Sequence, residues 1–122
     1  MTSKKIFIIA GETSGDQHAA DYVRNHKKEN TEILFDAFGQ RELKEVCDIL
    51  IYDTEQIAVV GILEVLSKYV EILNALKIAK KYINDERPDL IILVDYVEFN
   101  LKIAKYAKML NIPVIFYVAP QL

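Results

Sequence analysis

The chain has 122 residues, of which 52% are hydrophobic and 27% are charged, and this composition excludes a disordered chain and is typical of one globular domain. The formal net charge is −3 and no strongly basic segment is present, which argues against nucleic acid as a partner. The single cysteine cannot form an internal disulfide, so a reducing compartment such as the cytoplasm is expected.

Apolar runs and helical periodicities alternate along the chain. The apolar runs predict strands at residues 6–10, 32–38, 48–52, 90–94 and 114–118. The intervening segments predict helices at residues 15–28, 40–46, 62–84 and 99–110. Strands that alternate with helices indicate an α/β fold, a doubly wound (Rossmann-like) parallel sheet of about five strands in the order 3-2-1-4-5.

The first strand runs directly into an acidic turn, and residues 6–16 read IFIIAGETSGD. Ser14 and Gln17 have the spacing of a capping box, which predicts a helix start. The turn has no Lys or Arg and lacks the glycine spacing of a dinucleotide- or phosphate-binding loop. Its carboxylates, Glu12 and Asp16, suit sugar hydroxyls or proton transfer. The alternative is a plain turn whose acidic residues favour the positive end of a helix dipole.

A second acidic turn follows the fourth strand, where residues 95–100 read DYVEFN. The strand order reverses between the first and fourth strands, so a crevice is expected where both end. Topology therefore brings Glu12 and Asp16 near Asp95, Glu98 and Asn100, in a candidate site for general base chemistry on a hydroxyl. The alternative is that Asp95 only caps the next helix and Asn100 is an ordinary surface residue.

An apolar segment precedes the long helix and contains Ile57, Val59, Val60, Ile62 and Leu63. Such a segment before an amphipathic helix suits a membrane surface or the acyl chains of a lipid. Core packing beneath the third strand is the alternative that the residues leave open.

Four stretches together resemble the N-terminal part of the bacterial lipid-A-disaccharide synthase family. They are residues 10–16 (AGETSGD), 57–66 (IAVVGILEVL), the Val94-Asp95 and Phe99-Asn100 pairs, and 117–120 (YVAP). The resemblance extends from Ile6 to the end of the chain, and AGETSGD is its most specific part.

The resemblance implies a two-domain glycosyltransferase of the GT-B fold that takes part in lipid A biosynthesis. Members of the family transfer 2,3-diacylglucosamine from its UDP derivative to 2,3-diacylglucosamine 1-phosphate with inversion. The implied partners are a lipid-linked sugar acceptor and the cytoplasmic face of the bacterial inner membrane. No cofactor or metal is implied, since the UDP-sugar is the donor substrate.

The resemblance also implies roles for individual residues. Asp95 matches the family's essential aspartate, the candidate base that takes a proton from the acceptor 6-hydroxyl. Glu12, Ser14 and Asp16 match a loop that lines the same crevice and are expected to contact sugar hydroxyls. Asn100 matches the asparagine of a DFN-like segment and is expected to bind substrate. The family likeness further favours lipid contact for the apolar segment.

Two departures from the family pattern affect these expectations. The family usually reads Asp-x-Pro-Asp-Phe-Asn after the fourth strand, whereas Val97 and Glu98 stand at the third and fourth positions here, which loosens the loop. The family's chains are also much longer. Residues 1–122 are therefore expected to be an incomplete N-terminal, acceptor-side domain without the C-terminal UDP-sugar domain, and to be inactive alone.

Four alternatives to a complete enzyme remain open. The first two are a remnant of a broken gene and half of a split enzyme whose partner chain carries the C-terminal domain. The third is a non-catalytic module that binds a lipid or a partner. The fourth is a small nucleotide-binding protein, which the acidic turn disfavours. The last strand is expected to form an exposed edge through which the chain forms homo-oligomers.

Overall fold

The computed structural model describes residues 4–29 and 32–118, apart from the side chain of Leu63. The strands are β1 (Lys4–Ala10), β2 (Ile33–Gly39), β3 (Ile49–Asp53), β4 (Leu90–Val94) and β5 (Val114–Tyr117). The helices are α1 (Thr13–Glu29), α2 (Arg41–Val46), α3 (Glu55–Leu63), α4 (Val65–Glu86) and α5 (Val97–Met109). All strand pairs are parallel and their order is β3-β2-β1-β4-β5, so the predicted fold class and strand order are confirmed.

Strands β1 and β4 are neighbours inside the sheet, and their buried residues, 6–10 and 91–94, are all apolar, as expected of parallel strands that are covered on both faces. Their register pairs Ala10 with Val94, so both strands end at the same level of the sheet. The segments that follow them therefore emerge side by side.

Helices cover both faces of the sheet. On one face, α1 and α2 pack through Ala19, Ala20, Val23 and Leu43. On the other face, α3, α4 and α5 pack through Ile57, Ala75, Leu76, Ala79, Ile83, Phe99, Ile103 and Ala107. The small alanines allow the helices to approach the sheet closely, and the resulting core holds the two central strand ends in place.

Two helix starts differ from the prediction. Helix α1 begins at Thr13, because the amide of Asp16 already donates to the carbonyl oxygen of Glu12 at 2.8 Å. Ser14 therefore lies within the first turn, and the predicted capping box is wrong. The apolar segment before the long helix forms a helix of its own, α3, and the chain becomes extended at Glu64 before α4 begins. The uniformly apolar stretch has no helical period, which hid α3 in the sequence.

Candidate functional site

The candidate site lies at the carboxyl ends of β1 and β4. Gly11 and Asp95 directly follow the paired residues Ala10 and Val94. A Cβ atom built on Gly15 would lie 3.7 Å from Oδ2 of Asp95, so this carboxylate lies beside the first turn of α1. The partial positive charge at a helix N-terminus favours a negative group in this position. The two acidic turns, 80 residues apart in the chain, thus meet at one edge of the sheet.

The backbone of the second turn adopts an uncommon conformation. Asp95 and Tyr96 have φ values of 50° and 44°, in the left-handed region that costs a non-glycine residue about 1–2 kcal/mol. The amide of Asp95 donates to the carbonyl oxygen of Tyr117 at 2.8 Å, which anchors the turn to β5. Strain of this kind, held by its surroundings, is typical of functional sites.

The Tyr96 ring joins the two turns. It stacks on Phe99, with ring centroids 5.2 Å apart and an interplanar angle of 29°. It also covers Gly11 so closely that a Cβ atom there would overlap the ring, so this close approach requires glycine. Burial raises the pKa of Tyr96, and the negative charge of Glu12 raises it further. The phenol is therefore a proton-bearing donor at neutral pH.

A cavity of about 360 Å³ opens between the two turns and α4. Its polar lining includes Glu12, Glu98 and Lys102, and its remaining walls are Tyr69, Ile72, Leu76, Tyr96, Val97 and Phe99. A few polar groups set among apolar walls suit a ligand that carries both hydroxyls and hydrocarbon. Sequence reasoning placed Glu12 and Glu98 here but missed the contribution of α4. The signal was available, because Tyr69, Ile72 and Leu76 follow the i, i+3, i+7 period of one helix face.

Asp16 lies at the same end of the sheet but is only 1% exposed. Its carboxylate accepts hydrogen bonds from the amides of Gln40, Glu42 and Leu43 at 2.7, 2.9 and 3.1 Å. These bonds tie the start of α2 to the first turn of α1. We therefore revise the expectation that Asp16 contacts a sugar: its oxygens are already engaged, and it positions the loop instead.

Asn100 is fully buried, at 0% exposure, which corrects the expectation that its side chain lines the crevice. Its Nδ2 donates to the carbonyl oxygens of Asp95 at 3.0 Å and Val94 at 3.4 Å. Its Oδ1 has no hydrogen-bond partner among the described residues. Ser14, in contrast, is exposed on the first turn of α1.

The predicted lipid-contact residues divide into two groups. Ile57 is 4% exposed and packs into the core beside α4, so the prediction of lipid contact is wrong for this residue. Val59 and Ile62 are exposed, Val60 is partly buried, and the side chain of Leu63 lies outside the described part of the chain.

The exposed members continue onto the first turns of α4. We call this exposed surface of α3 and α4 the apolar ridge; it comprises Val59, Ile62, Val65, Leu66, Tyr69 and Val70. Ile62 and Val65 are 84% and 82% exposed, which is unusual for contiguous large apolar side chains. In the described part of the chain, every helix is too short or too polar to cross a lipid bilayer.

Known proteins match this chain over almost its whole length. The family model described as lipid-A-disaccharide synthetase matches residues 6–122. A lipid-A-disaccharide synthase of Nitrosococcus oceani is 42% identical over 116 residues, which are 95% of this chain and 30% of that protein. One of Syntrophus aciditrophicus is 43% identical over 121 residues, 99% of this chain and 32% of that protein. Lipid-A-disaccharide synthase 1 of Legionella pneumophila is 37% identical over 121 residues. The chain thus spans about a third of the length of these relatives.

Proposed function

We propose that this chain, which belongs to the lipid-A-disaccharide synthetase family, forms the acceptor-binding side of a glycosyltransferase. The acceptor is 2,3-diacylglucosamine 1-phosphate and the donor is the UDP derivative of 2,3-diacylglucosamine. The observation that carries this proposal is the carboxylate of Asp95, held by a strained turn beside the first turn of α1. The next residue of that turn, Tyr96, lines the cavity of mixed polarity.

In the proposed reaction, Asp95 acts as the general base. The acceptor 6-hydroxyl oxygen bonds to the anomeric carbon of the donor while its proton passes to the Asp95 carboxylate. The bond between that carbon and the UDP oxygen breaks, and UDP leaves with the bonding pair. Glu12 and Ser14, both exposed at the start of α1, accept hydrogen bonds from the sugar hydroxyls. Asp16 and Asn100 support these groups from within the fold.

The apolar ridge provides the membrane contact in this proposal, at the cytoplasmic face of the inner membrane. Tyr69 belongs both to the ridge and to the wall of the cavity. Acyl chains therefore remain in the bilayer while the sugar reaches the polar lining.

Replacing both Ile62 and Val65 by Gln should weaken sedimentation with anionic vesicles about tenfold or more, because two large apolar side chains leave the bilayer. In the matched variant, Ile57→Ala, stability should fall by about 2–5 kcal/mol while vesicle binding persists in the folded fraction. Equal vesicle binding by the double variant and the wild type would contradict the membrane role of the ridge.

Group transfer also requires a bound donor held against the acceptor. Because the chain spans about a third of its relatives, we propose that the UDP-sugar is bound by polypeptide beyond these 122 residues, in the same or a separate chain. The purified 122-residue chain should release no UDP from the two lipid substrates. Release of UDP by this chain alone would contradict the proposal.

A second candidate function, a non-catalytic binding module, is favoured by the exposed edge of the sheet. Strand β5 pairs with β4 alone among the described strands, and Ile115 and Tyr117 on it are about half exposed. Such an edge can pair with a second copy or with another chain. Light scattering at rising protein concentration tests whether the chain forms homo-oligomers through β5. A monomer at all concentrations would contradict this role of the edge.

The test of the proposed function is binding of the acceptor lipid in mixed detergent micelles. Asp95→Ala and Glu12→Ala should each weaken binding about tenfold, because each removes a charge-assisted hydrogen bond. The control, Asp21→Ala, removes an exposed carboxylate of α1 whose partner is Arg24 and should leave binding unchanged. Wild-type affinity in both site variants would refute this function.

A further inference from the structure

We propose that Asn100 is the positioning residue of Asp95: its side-chain amide holds the left-handed turn at residues 95–96 and does not touch the substrate. The geometric part of this inference stands on the structure alone. Only the consequence for acceptor binding rests on the proposed function.

The chain bends sharply as it leaves β4, at Asp95 and Tyr96. Asn100 lies on the first turn of α5, and its backbone amide donates to the carbonyl oxygen of Tyr96 at 3.0 Å. Its side chain turns back, and Nδ2 donates to the carbonyl oxygens of Val94 and Asp95. One residue thus contacts the last residue of the strand and both residues of the turn.

The orientation of this amide is fixed by its surroundings. If the amide were reversed, Oδ1 would face two carbonyl oxygens and repel both. In the observed orientation Oδ1 is buried without a partner among the described residues, which is unfavourable in itself. A leucine has the same branched arrangement of side-chain heavy atoms and would bring no unpartnered oxygen. Asparagine is therefore favoured at this position by what its NH₂ group does for the turn.

Other contacts hold the turn only in part. The hydrogen bond to Tyr117 fixes the amide of Asp95, and the Tyr96 ring is fixed between Gly11 and Phe99. Neither of these two contacts involves the carbonyl oxygen of Asp95. The direction of this oxygen depends on the left-handed backbone conformation of Asp95 and Tyr96. Asn100 donates a hydrogen bond to this oxygen at 3.0 Å, and through it helps to set the direction in which the Asp95 carboxylate leaves the backbone.

The test compares Asn100→Leu and Asn100→Asp with the matched controls Asn84→Leu and Asn84→Asp, at an exposed asparagine of α4. In isotope-labelled protein, the three-bond coupling between amide and α protons, with the Cα shifts, reports φ at Asp95 and Tyr96. Both Asn100 variants should lose the left-handed signature at these residues, and their affinity for the acceptor lipid in micelles should fall about tenfold. Both controls should retain signature and affinity.

A wild-type signature at residues 95 and 96 in a folded Asn100 variant would overturn the proposal. If both Asn100 variants fail to fold, hydrogen exchange in the wild-type chain decides instead. Asn100 Nδ2 protons that exchange as fast as those of Asn84 would overturn the proposal, and protected ones would support it. A changed turn in a protein whose wild type binds no acceptor would support the positioning role and refute the proposed function.

Discussion

Two regions of the sheet handle a carboxylate in opposite ways. In the middle of β2, Asp36 is 3% exposed, accepts a hydrogen bond from the Tyr82 hydroxyl and lies 3.8 Å from Nζ of Lys5. Nζ of Lys5 also lies 2.9 Å from Oε1 of Glu86, so the charged groups around Asp36 pair with one another. At the carboxyl end, Asp95 is only half-buried, has a left-handed backbone conformation and lies beside the first turn of α1.

The difference shows what each carboxylate contributes. A buried charge is tolerated when donors surround it, and its removal then costs stability. A half-buried group on a strained backbone is typical of a functional site, because such strain does not itself stabilise the fold. Residue type and burial alone do not separate a structural carboxylate from a functional one. The backbone conformation and the groups around the carboxylate are needed as well.

The largest expected effect on stability is that of Asp16, which lies at the carboxyl end of the sheet but is buried and hydrogen-bonded, as Asp36 is. Asp16→Ala removes the acceptor of three amide hydrogen bonds and should lower the free energy of unfolding by about 3 kcal/mol. Urea unfolding measures the change. Asp21→Ala, at an exposed ion pair in the same helix, should cost less than about 1 kcal/mol. Equal losses in the two variants would break the comparison.

Tyr82→Phe should lower the free energy of unfolding by about 1–3 kcal/mol, because Asp36 loses its hydroxyl donor inside the fold. Tyr69→Phe alters an exposed ring and should have no measurable effect on urea unfolding. Equal free energies of unfolding in the two variants would show that the Tyr82 hydroxyl does not stabilise the fold through Asp36.

The same contact predicts a dependence on pH. Burial, and then the hydrogen bond to Asp36, raise the pKa of Tyr82 above its ordinary value of 10.0. Folding thus favours the protonated phenol, and this contribution is complete below pH 10 and is lost as the pH rises further. The difference in stability between wild type and Tyr82→Phe should shrink above pH 10. A difference that stays constant through pH 11 would contradict this cause.

Asp95→Gly should have the smallest effect on folding, less than about 1 kcal/mol. Glycine relieves the left-handed strain but adds freedom to the unfolded chain, and the two effects nearly offset each other. Urea unfolding measures the balance, and acceptor binding should fall in the same variant. A loss as large as that of Asp16→Ala would show that Asp95 is a structural residue.

The sequence predicts the position of the site in the fold better than the roles of its individual residues. The apolar runs of β1 and β4 and the alternation with helices suffice for the strand order, and hence for the proximity of the two turns that follow these strands. The role of Asp16 was not predictable, because its amide partners lie 24 to 27 residues away, in Gln40 and the first turn of α2. The buried position of Asn100 depends on a bend at Tyr96 that no glycine or proline marks in the sequence.

The central claim is that the acceptor sugar binds at the edge of the sheet where β1 and β4 end. The most direct test is a map of amide chemical-shift changes when 2,3-diacylglucosamine 1-phosphate is titrated into the labelled chain in micelles. The largest changes should fall on Gly11, Glu12, Asp95 and Tyr96, with none at Lys5 or Asp36. Changes centred on the amino end of the sheet, or confined to the apolar ridge, would contradict the account.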